Sequence, residues 1–273
     1  HAQSERLAEG VARRLGIAVY VFEEGYVRPD YITLERSGVN GYSSLSRNWA
    51  AFGAVAGINA DCAPQPVGAH IIWPTAVYAV HYGFAAMVTH WAYQYYRHHY
   101  ELFSLGLPLQ WARGWLRKPL YALQQRKLLP LLSGPLSKQY FLVPLQVHKD
   151  AQVLVHSHHQ RVGHFIRYVI TSFAREAPAN CHLVFKHHPL DRGFRNYGRL
   201  IRDMAQRFGI SDRVHYVHDL HLPTLLQHAL GTVVINSTVG LSSLLHGAPV
   251  KTHGKAIYDL PGLVHQGSLS GFW

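Results

Sequence analysis

Three short stretches carry side chains able to do chemistry. Residues Phe22 to Gly25 read FEEG, which sets the carboxylates of Glu23 and Glu24 at the end of an apolar run. Residues Leu183 to Gly193 read LVFKHHPLDRG, so Lys186, His187 and His188 lead from a second apolar run into Pro189. Residues Ile235 to Gly240 read INSTVG, with Asn236, Ser237 and Thr238 where a helix should begin. Hydroxyls at a helix start cap backbone N–H groups, and the same donors can hold a phosphate. Lys186 and His188 would add positive charge from a neighbouring strand, and Pro189 halts the ladder so that the imidazole projects from it. Lys186, His188, Pro189, Asn236, Ser237 and Thr238 together predict a nucleotide-phosphate site. A carboxylate facing the same cleft, Glu24 or Glu23, has the chemistry of a nucleophile or a general acid or base.

Each signal also has an ordinary reading. Ser237 and Thr238 cap helices in many folds, a strand-end histidine is often satisfied by backbone, and adjacent glutamates at a turn are commonly surface charges. Arg28, Asn40 and Arg47, in the loop after FEEGY, are candidates for gripping a sugar carboxylate, an arginine doing so with two parallel bonds. They could equally be loop-stabilising hydrogen bonders. The histidine groups HSHHQ (His156, His158, His159) and HHP invite a metal reading. Neighbouring histidines on a strand diverge, however, and no HExxH or cysteine-pair spacing occurs, so no metal site is expected. GxGxxG and Walker sequences are absent too.

The elements that must position these residues are clearest after residue 150. AQVLVHS (151–157), CHLVFKHH, VHYVHD, GTVVIN and PVKTHG are short apolar runs. Between them lie helical patterns at about 164–175, 195–208 (closed by Gly209), around LPTLLQHAL, and from about Ser237. Strands alternating with helices predict a parallel sheet covered on both faces, with ligands beyond the carboxyl ends of the strands. Residues 151–273 are therefore expected to be a Rossmann-like nucleotide-binding domain.

Residues 1–150 are less regular. HAQSERLAEGVARRLGI reads as an amphipathic helix, Ile17 to Phe22 as a strand, and YVRPDYITLERSGVNGYSSLSRN as a turn-rich loop. No Asp, Glu, Lys or Arg occurs between Asp61 and Arg97. Within that span Trp73 to Tyr96 is long enough for a membrane crossing, but His81, Thr89, His90 and Gln94 interrupt it, which favours a packed helical insertion at about 70–135. The following LQWARGWLRKPLYALQQRKLLPLL mixes tryptophans with cations, the composition of a helix lying on an anionic membrane surface. Packing against the domain with its cations solvated is the alternative.

Composition agrees with an anionic partner. The 273 residues carry a formal net charge of +11 and 21 histidines, a balance suited to phosphate-bearing substrates, anionic lipid or nucleic acid. Cys62 and Cys181 are the only cysteines, too few for a disulfide framework and in keeping with a reducing compartment. A chain that opens inside a helix and stops at GFW is expected to be truncated at both ends.

Taken together, VFEEGYVRPDYITLE, GVNGYSSL, YFLVPLQV, FKHHPLDRG, INSTVGLSSLLHGAPVKTHGKAIYDLPGL and QGSLSGFW resemble the capsular polysaccharide biosynthesis and export family, KpsS-like and related to KpsC-like β-Kdo glycosyltransferases. The resemblance covers most of residues 18–273. It implies a GT-B-like α/β fold, two Rossmann-like domains facing a cleft, with 1–150 the acceptor domain. It implies transfer of Kdo from CMP-Kdo to a phosphatidylglycerol-type lipid at the cytoplasmic face of the inner membrane of Gram-negative bacteria, the protein being peripheral there. The family's HP motif falls on His188 and Pro189, with a role in binding the CMP phosphate. Its acidic EDG motif falls on Glu23, Glu24 and Gly25, so Glu24 stands where relatives have aspartate and is the implied catalytic carboxylate. A CMP-sugar leaves a nucleoside monophosphate, so no cofactor or metal is required. Implied partners are the nucleotide sugar, the anionic lipid acceptor and membrane surface, and other capsule biosynthesis and export proteins. Competing readings are a polyol-phosphate transferase using a CDP-alcohol, and a non-catalytic membrane-associated scaffold for capsule export. Nucleic acid is not expected, because the cations form no stripe with stacking aromatics outside the middle helices.

Overall fold

The computed structural model describes residues 2–26, 31–36, 38–48, 51, 72–89, 91–93, 106–148, 150, 153, 157, 159 and 161–273. In the first half these form α1 (Ala2–Arg14), β1 (Tyr20–Glu24), β2 (Ile32–Arg36), α2 (Ile72–Thr89), α3 (Gly106–Gln124) and α4 (Leu128–Ser133). The second half contributes β3 (Tyr140–Pro144), α5 (Val162–Glu176), β4 (His182–Lys186), α6 (Gly198–Arg207), β5 (Val214–Val217), α7 (Leu222–His228), β6 (Gly231–Val234), α8 (Val239–Leu245) and β7 (Val250–Thr252).

Five strands build one wholly parallel sheet in the order β5-β4-β3-β6-β7. Its centre is YFLVP, and all five residues of β3 are buried. Alternation along β3 divides the core. Phe141 and Val143 point to the layer with Phe165, Ile166, Val169, Ile170 and Phe173 of α5, while Tyr140 and Leu142 join Leu225 and Leu226 of α7 and Leu132 of α4 on the opposite face. The spacing of buried residues in α5 follows the helical repeat, so one stripe of the helix packs on that face of the sheet, beside Ile201 and Ala205 of α6 and Leu269. Burying each such side chain stabilises the fold by about 1.5–3 kcal/mol. Gly209, at φ +66°, closes α6 in the left-handed conformation that glycine adopts without a steric cost.

The second half is thus Rossmann-like, as expected, with one change. The sheet does not begin with the run at 151–157, whose described residues include Val153 in a helical turn and Ser157 in an isolated bridge to Gly254. It begins at Tyr140, ahead of the boundary expected at residue 150. YFLVP follows the apolar LLPLL run closely, which hid it as a separate strand.

The first half differs more. Among the described residues its strands are β1 and β2, an antiparallel hairpin, and no second Rossmann-like sheet is seen there. The stretch expected to be a loop from Tyr26 contains β2. Its residues are exposed or half-buried, and Ile32 and Leu34 alone give too short an apolar alternation to reveal a strand. Apart from Val39, every buried apolar residue among those described lies between Leu132 and Leu269. Helix α2 forms within the expected insertion, yet Tyr78, Val80 and Phe84 on it stay exposed. No helix among the described residues is long and apolar enough to cross a membrane.

Helix α3 is anchored. Gly114 lies against the backbone of Gly193, and a Cβ on Gly193 would collide with the Gln110 carbonyl. The Arg117 guanidinium donates to Arg192 O (3.0 Å), and Tyr121 stacks on His218 at 3.7 Å. Gln125 Nε2 donates to Tyr216 O (3.3 Å) while its Oε1 accepts from His218 N (2.8 Å). Gly193→Ala is expected to lower stability by about 1–3 kcal/mol in denaturant titration. Gly114→Ala, whose added methyl would find its nearest neighbour at 3.4 Å, should cost less.

Candidate functional site at the switch point of the sheet

Strands β3 and β6 are neighbours, but the chain leaves β3 towards β4 and leaves β6 towards β7. The connections therefore diverge and open a crevice beyond the two carboxyl ends, the position at which parallel α/β sheets bind ligands. A cleft of 460 Å³ occupies that place, lined by Gln146, Asp150, Lys186, His187, His188, Pro189, Asn236, Ser237 and Thr238, and, from the first half of the chain, by Glu23, Glu24 and Asn40.

Polar contacts fix its floor. Gln146 Nε2 donates to Asn236 Oδ1 (3.0 Å) and to Asp150 Oδ2 (3.0 Å), which bridges the diverging connections. Asp191, fully buried, accepts from His148 N (3.1 Å) and contacts His148 Nδ1 at 2.5 Å. The segment after β3 is thereby tied to the HHPLD turn. His188 has extended backbone (φ −75°, ψ 128°) ahead of the short helical turn Pro189–Asp191. Its Nδ1 accepts from Leu190 N (3.2 Å), so the neutral imidazole carries its proton on Nε2 as a donor.

Lys186 and His187 differ from expectation in their burial. Lys186 is only 7% exposed, and its Nζ donates to His218 O (3.2 Å). Burial lowers its pKa, opposed by the Asp219 carboxylate and reinforced by Arg192. One of three ammonium donors is thus spent on the backbone. His187, 2% exposed, turns inward, its Nδ1 2.7 Å from the Tyr216 hydroxyl. Desolvation pulls its pKa down to about 4 despite the raising influence of Asp191. The same cause brings His218 to about 3, with nearby His187 and cations adding to the shift. Both histidines border the cleft, but His187 does so from a buried position while His188 is half-buried.

The Asn236–Thr238 turn is held from below by Tyr258, whose hydroxyl donates to Ser237 O. Gly240 is needed there because a Cβ would strike the Tyr258 ring and hydroxyl. Ser237 Oγ accepts from Val239 N (3.2 Å), whereas Thr238 makes no capping bond.

In the hairpin Glu23 and Glu24 end β1, and Gly25 N donates to Tyr31 O (2.7 Å). A Cβ on Gly25 would overlap that carbonyl, so the close approach of Gly25 to Tyr31 beside the glutamates requires glycine. Asn40, at φ +54°, is a residue type that tolerates left-handed backbone. Its N donates to Tyr26 Oη (2.9 Å), and its Nδ2 donates to Glu23 Oε2 at 3.5 Å.

Of the residues singled out in the sequence, Glu23, Glu24, Asn40, Lys186, His188, Pro189, Asn236, Ser237 and Thr238 share this cleft. Arg47 does not line it. Its guanidinium donates to Ala256 O (2.7 Å), two residues before Tyr258, and so ties the loop after the hairpin to the segment supporting the Ser237 turn. Arg28, His156 and His158 lie outside the described residues. Gln146, Asp150 and the His148–Asp191 pair were not anticipated, although Gln146 falls within the YFLVPLQV stretch. Among the described residues no group of three His, Cys, Asp or Glu side chains is placed to hold a metal ion.

The fold and cleft define a Rossmann-like α/β protein with a polar site at the switch point of its sheet. A family model described as capsule polysaccharide biosynthesis protein matches residues 1–273, and the chain belongs to that family. It is 40% identical over 268 residues to the capsule polysaccharide export protein KpsS of Escherichia coli, covering 96% of this chain and 67% of that protein. It is 38% identical over 272 residues to the capsule polysaccharide modification protein LipB of Neisseria meningitidis serogroup B, covering 98% and 64%. The chain therefore spans about two thirds of the length of these curated relatives. Among solved structures, Thermosulfurimonas dismutans KpsC, beta Kdo 2,7 transferase, is similar at a TM-score of 0.35 with 20% identity, over 57% of this chain and 50% of that one. That likeness is too weak to assign a fold or an activity here.

The buried histidines give a pH prediction. His187 has a folded pKa of about 4 against an unfolded value of about 6.5. The unfolded chain therefore takes up a proton first as pH falls. Stability should be full above about pH 6.5 and decline from there towards pH 4, by roughly 1–3 kcal/mol for this residue. Denaturant titration across that window checks it, and His187→Gln should flatten the decline.

Proposed function

We propose that this protein is a glycosyltransferase of capsule polysaccharide synthesis, moving Kdo from CMP-Kdo to a phosphatidylglycerol-type lipid acceptor. The observation that carries the reading is the shared cleft, which two glutamates from the hairpin line together with the His188–Pro189 and Asn236–Thr238 turns at the switch point. Family membership and the match of the acidic and HP motifs support it.

In this reading the nucleotide phosphate sits against the strand ends. His188 Nε2–H, the Lys186 ammonium and the Ser237 and Thr238 segment supply donors to it, a charge-assisted arrangement stronger than neutral hydrogen bonding. Glu24 acts at the anomeric carbon. For a retaining transfer its carboxylate forms a bond to that carbon as the bond to the phosphate oxygen breaks and CMP leaves. The acceptor hydroxyl then displaces Glu24 and gives up its proton to a base. Glu23, approached by Asn40, lies beside it. Arg28 and Asn40 are candidates for the sugar carboxylate, and Arg47 serves by holding the loop. The reaction calls on no metal or cofactor. The GT-B arrangement belongs to this proposal, as does residence at the cytoplasmic face of the inner membrane beside other capsule biosynthesis and export proteins.

Glu24→Gln, isosteric but uncharged, should reduce transfer from CMP-Kdo to a lysophosphatidylglycerol analogue by at least about 10²–10³-fold with unchanged circular dichroism. Retained activity would remove Glu24 from the chemistry. His188→Ala should weaken CMP binding about tenfold in calorimetry, the loss of one charge-assisted bond. A panel of CMP, CDP and UDP separates this reading from the CDP-alcohol and scaffold readings, since CMP should bind most tightly.

A further inference from the structure

Helix α3 has two faces with opposite fates. Its inner face, through Gly114, Arg117, Tyr121 and Gln125, is locked to Arg192, Gly193, Tyr216 and His218. Its outer face presents Leu109, Trp115, Leu116, Leu120 and Leu123, which are 69%, 64%, 71%, 55% and 62% exposed. At 100° per residue these five fall on one arc of the helix, away from the inner four. A fixed helix with a row of large apolar side chains in water is an interaction surface rather than scattered exposure.

Charge decides what covers it. Arg113 and Lys118 flank the apolar row and are exposed, as are Arg126 and Lys127 just beyond the helix. No Asp or Glu occurs between Glu101 and Asp150, so nothing on this segment offsets those cations. A second copy of the same face would bring like charges together. An apolar stripe carrying tryptophan and edged by cations matches an interface of acyl chains beneath anionic headgroups.

We propose that the outer face of α3 docks the protein on an anionic lipid bilayer. The helix lies in the interface with Trp115, Leu116 and Leu120 among the acyl chains and Arg113 and Lys118 at the headgroups. Because its inner face braces Arg192 and His218, and Lys186 Nζ is bonded to His218 O, docking fixes the height and tilt of the cleft above the membrane. This deepens the proposed function by naming the surface that brings the site to its lipid acceptor, but binding to vesicles requires no donor or turnover, so either idea can fail alone.

The test is co-sedimentation of the full chain with vesicles of phosphatidylcholine alone or doped with phosphatidylglycerol. Binding to the doped vesicles is expected, weakening as salt screens the cations. Leu116→Glu with Leu120→Glu should reduce it about tenfold or more, while melting temperature and CMP affinity stay unchanged, since both residues are exposed. Arg113→Glu with Lys118→Glu should abolish the preference for the anionic lipid. Equal sedimentation of the leucine variant and the parent chain would overturn the proposal, as would equal binding to both vesicle types. A self-associated parent chain that ignores vesicles and becomes monomeric in the leucine variant would overturn it in favour of a second copy.

Discussion

The reversal of strand order between β3 and β6 is the constraint on which the rest depends. Two parallel strands that hydrogen-bond side by side send their chains apart, and the backbone cannot fill the space between the departing segments. Polar side chains must then satisfy the exposed ends, and the Gln146–Asn236 bridge does so across the gap. Around it the His148–Asp191 contact holds one departing segment and the Tyr258–Ser237 contact holds the other. The cleft is therefore a consequence of topology, and its chemistry comes from which side chains the strands end on.

Burial sorts the many cationic and cationisable groups into different roles. By composition alone, a chain of net charge +11 with 21 histidines would line its crevices with positive charge. Desolvation instead keeps His187 and His218 neutral at neutral pH, and Lys186 gives one donor to a backbone carbonyl. The positive character near the cleft is thus narrower than composition implies. Both histidines of the HHP pair border the cleft, but His187 is buried and packs among Tyr197, Tyr216 and His218, whereas His188 stays half-buried.

Much of the second half was legible in the sequence because buried parallel strands read as unbroken apolar runs between helices with one apolar stripe. CHLVFK and GTVV are of this kind, and the strand-end position of KHHP follows from them. β3 was missed because it adjoins another apolar run, and β2 because a half-exposed ribbon buries no face. The site was legible in part for the same reason: residues at strand ends can be placed by topology. Polar contacts between distant segments cannot. Arg47 to Ala256, His148 to Asp191 and Tyr258 to Ser237 join residues with nothing local to mark them. Arginine 47 illustrates the difference, since its residue type fits a carboxylate clamp while its surroundings make it a tether between the hairpin side and the sheet side. Helix α3 could be read as membrane-facing or as packed, and the structure gives it one packed face and one exposed apolar face.

The most direct measurement of the central claim is a crystal structure of this protein with CMP. The account predicts phosphate density between the His188–Leu190 turn and the Asn236–Thr238 turn, with Glu23 and Glu24 across the cleft from it. CMP bound elsewhere on the molecule, with that crevice holding only solvent at saturating nucleotide, would contradict it.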